Sequence, residues 1–173
     1  MTFENPKRLI GVFAIATMLG SASVALADSA LLQMKMEIEE TAVLDVSIDS
    51  GEVEVVGGDI DHVSIRALIT VDERLSSSDP LKAGSVVSAI KRSPPIQIDG
   101  DRIMITSLKK RTHQRYVSMT YEILVPRNAK VSVHSDDGNV TVSGVTGPVQ
   151  ATSDSGKVIV AELNVPGSRT SGD

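Results

Sequence analysis

The sequence predicts an all-β fold, a β-solenoid or β-helix-like stack of short strands joined by Gly/Asp turns, with one short helical interruption. Three observations lead there. Apolar residues alternate with polar ones over most of the chain, the period of a half-buried strand. Glycines recur between the alternating runs beside Asp and Ser, as in Asp49-Ser50-Gly51 and Gly57-Gly58-Asp59. A segment near the end repeats itself after 18 residues.

The first strand signals are Met34, Met36 and Ile38, then Leu44, Val46 and Ile48, then Val53 and Val55 beyond the turn at Gly51. His62 to Val71 reads as a longer strand. Residues 73–95 break the alternation, with Arg74 to Ser78 read as polar loop. Asp79 suits a helix N-cap and Pro80 the first helical position. Ala83, Val87 and Ile90 share a helical face, and Pro94-Pro95 stops the helix. Ile96 and Ile98 resume the alternation, the Asp99-Gly100 turn at Gly100 makes a hairpin, and Ile103 and Ile105 follow. Leu108 to Arg115 is a basic connection read as a solvated loop. Val117 to Val125 is the last long strand before the repeats.

In the repeat, Val131, Val133, Val140 and Val142 recur as Val149, Ala151, Val158 and Val160. Ser135, Asp136 and Gly138 recur as Ser153, Asp154 and Gly156. One such unit cannot bury its apolar face, whereas neighbouring units can. The clearest repeats span 131–173. Gly51, Gly100, Gly138 and Gly156 are the turn glycines.

The N-terminus has its own signature. Lys7 and Arg8 precede the apolar run 9–20, and small residues lead to Ala25-Leu26-Ala27. This is the three-part pattern of a secretory signal peptide. The run is shorter than the roughly 20 residues of a membrane span. The expectation is cleavage between Ala27 and Asp28, leaving one domain over 28–173 in the periplasm or secreted, with no integral membrane segment. Losing Lys7, Arg8 and Glu4 moves the net charge from −5 to −6. That balance disfavours nucleic acid and anionic membranes as partners. The chain has no cysteine, hence no disulfide framework and no thiolate chemistry. Beyond the leader its only aromatic residues are Tyr116 and Tyr121. Stacking surfaces for bases or sugars are therefore scarce.

The candidate chemistry is sparse. Asp136, Asp137, Asn139 and Asp154 could offer oxygens to calcium, but these are ordinary turn residues. His62, His113 and His134 lack ligand spacing. Neither a nucleophile elbow nor a phosphate-binding glycine loop occurs. No cofactor, metal or catalytic residue is expected. Lys109, Lys110, Arg111 and Arg115 form the one cationic cluster, a contact for an anionic polymer or a solvated surface.

Four stretches together resemble a bacterial exported family of adhesin-type β-strand-repeat domains of unknown function. They are Leu44 to Gly57 leading into Val63-Ser64-Ile65-Arg66-Ala67, the interruption before Ile96 to Asp101, Tyr121 to Lys130, and the repeated Gly138 to Gly144. The resemblance implies an exported non-enzymatic adhesin-like, scaffolding or binding protein of the cell envelope, and carries no catalytic residues. The chain departs from the family by stopping in mid-motif at Thr170-Ser171-Gly172-Asp173, so a shortened relative or truncated product is expected. Self-association through the C-terminal strand edge, or an envelope protein partner, follows. The alternatives are an accessory periplasmic protein acting through one partner, and a polysaccharide-acting β-helix enzyme.

Overall fold

The computed structural model describes residues 29–109 and 111–161; within the latter, the side chains of Arg111 and Thr112 are not described. The expected signal peptide, with Ala25, Ala27 and Asp28, and residues 162–173 lie outside the described residues. Ten strands and three short helices alternate in the order β1 (Ser29–Glu37), β2 (Val43–Gly58), β3 (His62–Val71), α1 (Glu73–Ser78), α2 (Pro80–Arg92), β4 (Ile96–Asp99), β5 (Arg102–Ile105), α3 (Arg111–Tyr116), β6 (Val117–Pro126), β7 (Lys130–Asp137), β8 (Val140–Ser143), β9 (Val149–Ser153) and β10 (Val158–Ala161).

The expected solenoid does not form. The strands make a single mixed sheet, neither closed nor stacked as a solenoid. Its path runs β1-β3-β6-β2-β5-β4, with β7 and β8 also joined to β2, and β9 and β10 beyond them. The reason lies in the pairing. β3 is antiparallel to both β1 and β6, and β4 to β5, so half of the sheet consists of ribbons that are not repeats of one unit. Period-two alternation fixes which face of a strand is buried. It says nothing about which strand lies beside it.

β2 is the hub. Its first half pairs with β5 and β7, and its second half with β6 and β8, all in parallel. The expected turn at Asp49-Ser50-Gly51 is instead a bend within this one strand. Before it the buried residues are Leu44, Val46 and Ile48; after it they are Val53 and Val55. Buried positions thus change from even to odd across Gly51, whose φ of +117° suits only glycine. The inward residues of both halves meet in one core with those of β3, β5, β6, β7 and β8.

The 18-residue repeat is realised locally. β9 runs parallel to β7 with Val131 beside Val149, and β10 parallel to β8 with Val140 beside Val158. Gly138 and Gly156 do not have positive φ. They are glycine because strands approach closely there: a Cβ on Gly156 would stand 2.0 Å from the Gly138 carbonyl oxygen.

The helix at 80–92 forms with the expected cap and stop, but Val86 and not Val87 takes the buried position between Ala83 and Ile90. Asp79 accepts from the Lys82 amide, Pro80 occupies the first turn, and Ala83, Val86 and Ile90 enter the core. The stretch read as polar loop is the short helix α1, capped by Asp72, whose carboxylate accepts from the amides of Arg74 and Leu75. The basic connection holds α3, tied to the sheet by Gln114, which donates to the Asp49 carboxylate and the Leu108 carbonyl.

Candidate functional site

β9 and β10 bring together the features of a binding edge. Among the described residues, β9 pairs only with β7 and β10 only with β8. The far side of each strand therefore presents a row of amide and carbonyl groups. Their side chains add apolar surface. Val140 and Val142 are fully buried, but the matching Val158 and Val160 are 37% and 49% exposed, and Ile159 on the opposite face is 40% exposed. Val149 and Ala151 are only partly covered and pack against the core. A depression lined by Val142, Val145, Val149 and Val160 opens beside them.

The opposite edge of the sheet is differently built. β1 presents Leu31 (46% exposed), Gln33, Lys35 and Glu37 alternately with its inward Leu32, Met34 and Met36, so its outward row is mixed and ends in charge. Lys35 and Glu37 form an ion pair at 3.2 Å. Charges of this kind blunt an edge against further pairing. β10, Val158-Ile159-Val160-Ala161, carries no charge and no proline. The two edges thus differ in charge, which disfavours strand addition at β1 and is absent from β10.

The structure separates most of the sequence-predicted site residues. In the basic run, Lys109 and Arg115 are exposed, Lys110 lies outside the described residues, and the Arg111 side chain is not described. Lys109 precedes α3 and Arg115 sits in its last turn, on a helix whose Gln114 is committed to anchoring. Beside them Ile90, Pro95, Ile96, Leu108, Lys109 and His113 line a depression. His62 pairs with Asp61 at 3.1 Å, far from the repeats. That hydrogen bond holds the Asp61 carboxyl below its ordinary range.

The oxygens considered for calcium do not converge as a set. The Asn139 side-chain oxygen accepts from the Lys157 amide, which makes it a turn clasp between repeats. Asp136 and Asp154 do come together, joined by His134 rather than by Asn139. They meet through the pairing of β7 with β9, whose register is the 18-residue offset of the repeat.

The geometry defines a mostly-β domain with a charged edge, an apolar edge that is unpaired among the described residues, and a small polar cluster on its outer face. No protein-family model matches the chain, and no curated protein matches it. No helix among the described residues is long and apolar enough to cross a membrane.

Proposed function

We propose that this protein is an exported, non-enzymatic adhesin-like scaffolding or binding domain of the bacterial cell envelope that associates through the β9–β10 edge. The observation that carries this reading is the exposure of Val158 and Val160, residues whose counterparts one repeat earlier are buried. A strand added beside β10 covers them and satisfies the outward backbone groups of the edge. The preferred occupant is a second copy of this chain. A two-fold axis normal to the sheet sets β10 antiparallel to its own copy and places both sets of valines over one continuous apolar layer.

Light scattering over a concentration series tests it. Growth in mass with concentration is expected, and Val158→Lys with Val160→Glu should abolish it while the β-sheet circular dichroism is retained. A protein that stays monomeric at the highest concentration reached sinks the self-association. Capture of one envelope protein through the same edge, without growth in mass, would favour the accessory reading. Export is tested separately: mass spectrometry of the protein from the periplasmic fraction should find the chain beginning at Asp28.

A further inference from the structure

We propose that His134, Asp136 and Asp154 form a binding site for a divalent first-row transition metal ion of the zinc class, with Thr152 as the positioning residue of the imidazole. The site lies on the outer face of the sheet, away from the apolar depression, and does not rest on the edge proposal.

β7 places His134 and Asp136 two residues apart, on the same outward face. β9 sets Thr152 directly beside His134 in the parallel register. The next step along the same strand brings Asp154 beside Asp136, through the bonds from the Asp154 amide to the Ser135 carbonyl (3.0 Å) and from the Ser155 amide to the Asp136 carbonyl (2.9 Å). One ligand atom from each of His134, Asp136 and Asp154 then lies within 4.8 Å of the other two.

Two physical points favour an ion over a plain polar patch. First, the imidazole is oriented. Its Nδ1 stands 3.0 Å from the Thr152 hydroxyl, and its Nε2 stands 3.1 Å from Asp136 Oδ1. The tautomer in which Nε2–H donates to Asp136 and Nδ1 accepts from Thr152 satisfies both contacts. When a metal takes the Nε2 lone pair, the ring proton moves to Nδ1 and donates to the same hydroxyl. A partner on the second ring nitrogen is the usual support of a metal-binding histidine. Secondly, Asp136 and Asp154 put like charges side by side on adjacent strands, an arrangement that disfavours pairing. A dication between them reverses that repulsion.

The donor set selects the ion. One imidazole nitrogen and two carboxylates suit zinc and its first-row neighbours, leaving a position for water. Calcium prefers six to eight oxygens and gains nothing from the ring. Nearby Asp49 is occupied by Gln114 and does not contribute.

The experiment is calorimetric titration of the purified protein with zinc chloride, with calcium chloride as the comparison, and histidine ring resonances followed by NMR. One equivalent of zinc should bind, shifting the His134 ring signals before those of His62 and His113. His134→Gln and Asp154→Asn should each weaken it at least about tenfold, and Thr152→Val by a similar factor. Zinc binding unchanged in His134→Gln and Asp154→Asn overturns the proposal. So does calcium bound as tightly as zinc, or a His134 ring signal that zinc leaves in place. The NMR arm uses the unaltered chain, so a variant that fails to fold does not spare the proposal.

Discussion

The carbonyl oxygen of Gly51 lies against the α-carbon of Gly138, so close that a Cβ on Gly138 would stand 1.7 Å from it. The contact joins the bend of β2 to the connection between β7 and β8. Gly156 repeats the arrangement against Gly138. Backbone on backbone leaves no flexible atom to move aside.

Gly138→Ala should therefore destabilise the domain by about 3 kcal/mol, the upper range of overpacking. Gly84, inside α2, has nothing within 4 Å of its would-be Cβ. Gly84→Ala should stabilise by about 1 kcal/mol through helix propensity. Urea unfolding of the two variants against the parent gives both signs in one series.

Two equivalent serines should behave oppositely. The Ser153 hydroxyl donates to the Gly138 carbonyl at 2.8 Å. The Ser135 hydroxyl is fully buried and has no hydrogen-bond partner among the described residues. Ser153→Ala should cost about 1 kcal/mol, the usual worth of such a bond. Ser135→Ala removes a group that folding strips of water without return, so it should be neutral or stabilising. Thermal unfolding midpoints measured side by side check the contrast.

Tyr121 sits in the core, where burial raises its hydroxyl pKa above the ordinary value of 10.0. Below that pH the folded and unfolded chains both keep the proton. Above it the unfolded chain releases the proton while the folded chain holds it, so stability falls as pH rises. Tyr121→Phe should leave stability at neutral pH within about 1 kcal/mol, since only a 3.5 Å contact to the Met119 sulfur is lost. It should also shift the alkaline unfolding midpoint upward. Circular dichroism across an alkaline titration measures that shift.

The helix caps offer a fourth test. Asp79 accepts from the Lys82 amide at 3.1 Å and Asp72 from the Arg74 amide at 3.0 Å. Asp79→Ala should cost about 1 kcal/mol. Asp72→Ala should cost less globally, because α1 buries none of its residues in the core and can fray alone. Amide hydrogen exchange should show that variant opening at residues 73–78 only.

The sequence was readable wherever the determinant is local. Asp79-Pro80 and Pro94-Pro95 bound α2, Asp99-Gly100 makes the β4–β5 hairpin, and the spacing of Val131 and Val149 gives the parallel register of β7 with β9. The shift of apolar positions from Ile48 to Val53 was also in view, but it reads equally as a turn or as a bend. Pairing at a distance was not legible. Nothing in the alternation of β3 says that it lies between β1 and β6, or that β6 then meets the second half of β2. The His134–Asp136–Asp154 cluster is a different case, because the 18-residue offset that gives the β7–β9 register also brings Asp154 beside Asp136. What went unread was His134, whose spacing to the other histidines says nothing while its place in the repeat does.

The central place of β2 also governs when the protein can fold. Every strand hydrogen-bonded to it comes later in the chain, the earliest beginning at Arg102 and the last ending at Ser143. Loop closure over such separations precedes any reward from pairing, so assembly is governed by high contact order and is slow. During synthesis the hub emerges before any strand that pairs with it. The chain emerges with its longest strand unmatched, open to wrong partners until β8 has been made. The order of the strands thus sets the earliest point at which the sheet can close around β2, after Arg102 has been made.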